Sequence, residues 1–374
     1  MSAVTAFLAN RWVRLGVFGV VLVVLGVLPL IADPFTNQTI ARIAVFAVAV
    51  LGLNIVMGYT GQVSLGQIFF VGVGAYCAAI PIRAWWGTDV YTWSIVIGLV
   101  LAIVVPGVIG LLVALAAARL RGLAIAMITI ALPIIGVPLA KRFSDLTGGN
   151  EGLSVRRLPY GEGDAAGVGN PFAAPAGSGL ANDQWQYYLV LLIAIIVFVL
   201  AYFLVRGRYG RAFAIVRENE AVAASMGISP YRYKVLSFTI AAVFGGIAGF
   251  LYIVALQYTS SETLSFGHSI ELVIATIVGG AGSIVGSILG GAFYVLIPQI
   301  TNALQLSDYT LVAQGVIILL VLFLLPGGLA SLPRTIRRLA RRRRGAHSVD
   351  AGDPAGSASV TTQHQVPTSK ERNT

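Results

Sequence analysis

Three histidines, three lysines and one cysteine are the obvious reactive groups of this chain, and none stands in a pattern that performs a familiar reaction. Lys141, Lys234 and Lys370 follow Ala140, Tyr233 and Ser369, so there is no Gly-Lys pair and no Walker A loop to cradle phosphates. The chain therefore does not hydrolyse ATP alone by that route. His347 and His364 lie far from His268, which excludes the H-E-x-x-H zinc pattern, and no G-x-S-x-G nucleophile elbow occurs. Cys77 has no second cysteine for a disulfide or a Cys-based zinc site. No catalytic residue and no metal ligand set is expected.

A different kind of chemistry, passage of a polar solute through an apolar phase, is suggested by Asn54 to Tyr76, NIVMGYTGQVSLGQIFFVGVGAY. Asn54, Tyr59, Thr60, Gln62, Ser64 and Gln67 interrupt an apolar pattern beside Gly58, Gly61 and Gly66. Polar side chains and helix-weakening glycines at membrane depth persist only where protein or a water-filled cavity surrounds them. Asn54, Gln62, Ser64 and Gln67 are thus candidates to line a translocation pathway, together with Glu271, an ionisable residue near a span entrance. The competing reading is a short polar turn between spans, its amides facing headgroups. Intramembrane carboxylates and histidines are scarce, which argues against a proton-driven pump and leaves sodium coupling open.

The second informative cluster is Arg206 to Lys234, RGRYGRAFAIVRENEAVAASMGISPYRYK, with six basic residues between two apolar runs. Its middle holds one short helix with a readable start and stop. Asn219 can cap the N-terminus, and Glu220 follows in the first turn, where the helix dipole favours a carboxylate. Gly227 ends the helix and Pro230 prevents its resumption. Ala221, Ala223 and Ala224 keep it slim, while Val222 and Met226 stand one turn apart on one face. Such a helix suits docking against a protein at the cytoplasmic surface; an amphipathic helix lying on lipid headgroups fits the same signals.

These segments are positioned by membrane spans. Of 374 residues 57% are hydrophobic and 11% charged, and the mean hydropathy is +0.85. Runs long enough to cross about 30 Å of hydrocarbon recur without the alternation of a barrel, so the fold class is an all-α polytopic membrane protein. Spans are expected near 15–32, 38–57, 68–86, 93–118, 122–140, 186–205, 235–256, 270–298 and 310–326. The run at 15–32 exceeds a signal-peptide core and lacks a small-x-small cleavage site, so it reads as an uncleaved span.

With the N-terminus inside, the basic loops 119–121 and 206–234 fall in the cytoplasm, as the positive-inside rule asks. Nine crossings would leave the seven arginines of Arg334–Arg344 outside. That conflict disappears if 270–298 is two elements broken at Gly279-Gly280-Ala281-Gly282. About ten transmembrane helices or half-helices then place both termini in the cytoplasm. Among the 25 Lys and Arg residues only Arg42, Arg83, Lys141, Arg142, Arg156 and Arg157 remain outside.

The expected organisation is a cytoplasmic N-terminus at 1–14, a transmembrane domain at 15–330, and a basic then disordered cytoplasmic tail at 331–374. An external loop at 141–185 and the cytoplasmic loop at 206–234 lie within the transmembrane domain. The arginines before the tail suit anionic lipid headgroups rather than nucleic acid. Glycine is abundant at 43 residues. Gly282, Gly286 and Gly290 repeat at spacing four, as do Gly245 and Gly249, the pattern of helix faces that pack closely.

Four stretches, GYTGQVSLGQIFFVGVGAY, RENEAVAASMGISPYRYKVLSF, VGGAGSIVGSILGGAF and FLLPGGL, occur in the order found in M-type permease subunits of the high-affinity branched-chain amino acid (Liv) ABC importers. The chain resembles that family over about residues 38–330. The resemblance implies a heterodimer with a second, similar permease subunit, two cytoplasmic ABC ATPase subunits and an external solute-binding protein, in a bacterial cytoplasmic membrane. It also implies that ATP and Mg are bound by the partners and no cofactor by this chain. Asn219, Glu220, Ala221, Val222, Ala224, Met226 and Gly227 would then form the coupling helix that receives ATPase motion.

Two features depart from the wider permease pattern. Glu220 and Gly227 are seven residues apart rather than six, and Ser287 stands where relatives often have Pro, so a different helix geometry is expected there. The resulting expectation is a non-catalytic permease subunit of an ATP-driven importer for branched-chain amino acids. An importer of urea or short amides is the rival within the class, and a self-sufficient secondary amino-acid carrier the rival outside it.

Overall fold

The computed structural model describes residues 19, 23–85, 91–120, 123–155, 170–175 and 177–303, with isolated residues between 309 and 331. The chain divides into Met1–Ser331 and Leu332–Thr374, and the basic tail falls in the second unit, outside the described residues. Most of the span expected at 310–326 and the first part of that at 15–32 also lie outside them.

The described chain is helical, and seven of its helices are long and apolar enough to cross a membrane. In chain order α1 is Pro34–Asn54, α2 Gln67–Ala84, α3 Tyr91–Ala117, α4 Leu123–Arg142 and α5 the short Ser144–Thr147. There follow α6 at Asn182–Arg206, α7 at Arg208–Glu218, α8 at Glu220–Ser225, α9 at Pro230–Leu256, α10 at Phe266–Gly279 and α11 at Ile284–Ala303. The expected break in 270–298 is present: α10 stops at Gly279 and α11 resumes at Ile284. Gly280 (φ 118°) and Gly282 (φ 81°) supply backbone conformations closed to other residues. Gly282 therefore corrects the sequence pattern. It lies in the break, not on a helix face with Gly286 and Gly290.

The start and end of α1 explain its role. Asp33 caps its N-terminus, accepting from the Thr36 amide (3.2 Å) and hydroxyl (2.6 Å), and Pro34 occupies the first turn. At the other end α1 widens into a π turn, Ile55–Tyr59, closed by the Thr60 amide on the Ile55 carbonyl at 3.2 Å. Residues 61–66 then run without regular structure before α2 begins. Such irregular backbone is tolerated inside a membrane protein only when enclosed by protein or beside a water-filled cavity.

The core is built on contact between backbones. A Cβ on Gly246 of α9 would sit 1.9 Å from the Ala102 carbonyl oxygen of α3, and one on Gly249 would sit 2.1 Å from that of Val71 on α2. A Cβ on Gly74 would meet the Gly246 carbonyl at 2.4 Å. Lipid tails are as apolar as leucine, so helix association in a bilayer depends on such close packing rather than on hydrophobic burial. Gly245 faces Phe70, and Gly286 and Gly290 of α11 press on the backbone of α10 and on Gly280. Buried α1 residues, including Val45, Val48, Leu51 and Leu53, fill the centre.

The loop at 141–185 is ordered at both ends. A two-residue antiparallel pair joins Leu153–Ser154 (β1) to Tyr258–Thr259 (β2), just beyond α9. Asn170 accepts from Gln257 Nε2 at 2.6 Å, and Phe172 packs edge-on against Phe250. Residues 156–169 lie outside the described part.

Gly246→Ala in the purified chain is expected to lower the thermal unfolding midpoint by several degrees, because overpacking a tight core costs about 1–3 kcal/mol. Gly26→Ala, where a Cβ meets nothing within 4 Å, should leave the midpoint in place. Equal midpoints for both variants would show that α3 and α9 separate freely and would overturn the backbone-contact account.

Candidate functional site

The short helix in the basic loop forms as its caps dictate. Asn219 is extended (φ −159°, ψ 116°), and its Oδ1 accepts from the Ala221 amide at 2.9 Å and the Val222 amide at 3.3 Å. Glu220 opens the first turn. Gly227, at φ 79°, closes the helix with the Ile228 amide on the Ala223 carbonyl (2.9 Å) and its own amide on that of Ala224 (3.1 Å). This is a Schellman stop. Ala223 alone is buried, whereas Ala221, Val222, Ala224 and Met226 face outward, Met226 at 63% exposure. The slim face is thus turned away from the chain's own core.

An ion pair fastens this helix to α9. Lys234, in the first turns of α9, is buried at 4% exposure, and its Nζ lies 2.5 Å from Glu220 Oε1. Removing Glu220 would leave the buried Lys234 charge uncompensated, so the pair resists separation from that side. Beside it, Tyr231 donates to the Leu115 carbonyl at 3.2 Å. A cleft of about 540 Å³ opens between α8 and the end of α3, with Arg119, Asn219, Ala224 and Tyr231 among its walls. Lys234 was legible only as one more basic loop residue, since no local spacing links it to Glu220.

The preceding helix, α7, buries Phe213 and Val216 and ends near Arg217, whose guanidinium donates to the Gly58 carbonyl in the π turn. Arg217 Nη1 also lies 3.3 Å from where a Cβ on Gly282 would stand. Three segments, α7, the π turn and the α10–α11 break, therefore converge on one side chain. Nothing in the sequence marks Arg217 among its basic neighbours.

Asn54 completes this junction. Its Nδ2 donates to the Ser283 carbonyl (2.8 Å) and to Ser287 Oγ (2.9 Å), and its Oδ1 accepts from the Gly282 amide (2.6 Å). Ser287, the departure from Pro, is helical and serves as one of these acceptors. Gln62 donates to Thr60 Oγ1 and Ser237 Oγ, both at 2.9 Å, and Gln67 to the Ala241 carbonyl at 2.8 Å. Ser64 is buried at 2% exposure. The structure therefore places Asn54, Gln62 and Gln67 as pins between segments, donating to Thr60, to α9, and to Ser283 and Ser287 at the start of α11. Helix partners satisfy polar groups at membrane depth as well as a wet cavity does, and the sequence cannot separate the two because the partners lie over 170 residues away. Glu271 stands apart from them. It lies 3.1 Å from His268 Nδ1 and lines a cavity of about 390 Å³.

The sequence matches the family described as "Branched-chain amino acid transport system / permease component" over residues 35–322. It is 29% identical over 338 residues to the high-affinity branched-chain amino acid transport system permease protein LivM of Escherichia coli, covering 86% of this chain and 76% of that one. The LivM protein of Salmonella typhimurium is 28% identical, covering 78% and 68%. The high-affinity branched-chain amino acid transport system permease protein LivH of Escherichia coli is 24% identical, covering 77% and 92%. No solved structure gives a significant match. The matched residues take in α1 from its second residue through α11, including α8 and the Asn54 junction, and the chain belongs to the branched-chain amino acid transport permease family.

Proposed function

We propose that this chain is the transmembrane permease subunit of an ATP-driven importer of branched-chain amino acids, with α8 as the element that receives motion from an ATPase. The observation that carries the reading is the outward face of α8: a capped, alanine-rich helix, exposed at Ala221, Val222, Ala224 and Met226, yet tied to the membrane body by the Glu220–Lys234 pair. A slim surface that does not pack on its own chain suits a groove on another protein. Kinship with LivM and LivH supports the transport class and the solute.

In this reading two ATPase subunits bind ATP and Mg in the cytoplasm, a second permease subunit completes the membrane core, and an external protein delivers the solute. The chain is a multi-pass protein of the bacterial inner membrane with both termini in the cytoplasm. Closure of the ATPase pair displaces α8. The Glu220–Lys234 pair passes the displacement to α9, and Arg217 passes it to the π turn and the α10–α11 break. The flexible backbone there then lets the helices reorient while the closely packed α2, α3 and α9 move as one body. Asn219, Glu220 and Gly227 shape α8, and Val222, Ala224 and Met226 face the partner. This chain supplies no catalytic group of its own to the hydrolysis.

Ala224→Glu and Gly227→Val are expected to reduce solute-stimulated ATP hydrolysis by the assembled complex at least about tenfold, by charging a close-packed groove and by straining the left-handed stop. Co-purification of the ATPase should weaken while the chain still inserts. Undiminished ATP-coupled uptake by the Ala224→Glu complex would overturn the docking role, and uptake by the chain without any ATPase would identify a self-sufficient carrier instead.

Arg217→Ala separates docking from transmission. The ATPase should still co-purify, whereas uptake per ATP hydrolysed should fall about tenfold, the order commanded by one charge-assisted hydrogen bond. Arg217→Lys, which keeps the charge but not the fork, should recover part of the coupling. An unchanged uptake-to-hydrolysis ratio in Arg217→Ala would remove the strut from the pathway of motion.

A further inference from the structure

The outer cavity that includes Glu271 combines features seldom found together at membrane depth. Arg42 reaches it from α1, about 18 Å along the helix from Asn54 at 1.5 Å per residue, and Glu271 reaches it from the first turns of α10. Between the two charges the wall is apolar, with Phe46, Ile68 and Val71 all buried. Its volume of about 390 Å³ lies at the lower end of the roughly 300–1,000 Å³ typical of small-molecule sites. An ionised side chain inside a membrane protein is expensive, and the usual reason for its presence is a ligand or a pathway.

Two observations point to an occupant. Arg42 Nε is buried and has no hydrogen-bond partner, so one N–H of the guanidinium is desolvated without compensation. Arg42 does not pair with Glu271; the carboxylate instead lies 3.1 Å from His268 Nδ1, and the same nitrogen lies 3.1 Å from the Tyr294 hydroxyl. Tyr294 is itself held against Phe46, with ring centroids 4.1 Å apart. The anion is thereby oriented by its neighbours while one N–H of the Arg42 guanidinium remains unsatisfied. This differs from Asn54, Gln62 and Gln67, each of whose amide groups already donates to another helix.

We propose that this cavity is a binding site for a free aliphatic amino acid as a zwitterion. The Arg42 guanidinium takes the α-carboxylate, Glu271 takes the α-ammonium, and Phe46, Ile68 and Val71 receive the side chain. His268 and Tyr294 are positioning residues that aim the Glu271 carboxylate. The site rests on the importer reading above and deepens it, because it makes the permease itself discriminate. A solute lacking either charge leaves one buried partner unpaired, and such sites reject incomplete analogues strongly.

Asn302, exposed at the cavity rim, provides a direct test. Asn302→Cys in a Cys77→Ala background is placed in the full chain, within the assembled complex in membranes, and the rate of labelling by a water-soluble maleimide is measured. Millimolar L-leucine should slow labelling by about tenfold, whereas L-leucinamide, 4-methylpentanoate and urea should not, a difference that reports the two charge contacts. Adding Arg42→Gln or Glu271→Gln should abolish the protection. Absence of leucine protection, equal protection by either analogue or by urea, or protection that survives in both charge variants would overturn the site. As a second measurement, leucine uptake should fall at least about tenfold in Arg42→Gln and in Glu271→Gln, and wild-type rates in both would overturn it too. ATP-dependent leucine uptake by the unmodified complex is recorded alongside. Uptake without protection sinks the cavity alone, while protection without ATP-dependent uptake supports the cavity and sinks the importer reading.

Discussion

A single carboxamide holds the interruptions of this fold in register. Asn54 sits where α1 loosens into a π turn, and it is bonded to the residues where the chain turns from α10 into α11. Each interruption frees backbone groups that hydrocarbon cannot solvate, so neither would be tolerable alone. Brought together, they satisfy one another: the Gly282 amide and the Ser283 carbonyl find the two ends of the Asn54 amide, and the Gly58 carbonyl finds Arg217. The close approach of Gly58 to Gly282, where a Cβ would stand 2.3 Å from the Gly282 nitrogen, is a condition of that arrangement.

The rest of the molecule divides around this junction. On one side α2, α3 and α9 touch through glycine backbones, which leaves little freedom to slide. On the other, α10 and α11 also meet through glycine backbones, and the break between them is tied to α1 by the directional bonds of Asn54. The buried Lys234 attaches α9 to α8, and Arg217 attaches α7 to the π turn.

Much of the fold is legible in the sequence because the signals are local. Apolar runs mark the helices, Asn219 and Gly227 mark both ends of α8, and the Gly279–Gly282 run marks the break that charge placement also demands. The polar residues of 54–67 are legible as unusual, but their partners are not. Asn54 meets Ser287 across 233 positions and Gln62 meets Ser237 across 175, and no periodicity reports such pairings. The same limit hid Lys234 as an anchor, Arg217 as a strut and Arg42 as a pocket residue. Each differs from its basic neighbours only in what the fold brings to it. Gly282 was misassigned for the opposite reason: a regular spacing of four suggested a helix face, while positive φ at Gly280 and Gly282 ends the helix first.

The distance between Asn54 and its partners also has a consequence for biogenesis. Ser283 is 229 residues downstream, so a ribosome adding about 5–20 residues per second delivers it roughly 10–50 s after Asn54. Through that interval α1 has already been made, yet its carboxamide has no native partner, and the Gly58 carbonyl waits similarly for Arg217. The nascent chain must therefore shelter these groups at the insertion machinery, or against lipid headgroups, until the last helices arrive. Chains truncated before the α10–α11 break would lack Gly282, Ser283 and Ser287, and with them every partner that the Asn54 carboxamide has in the complete fold.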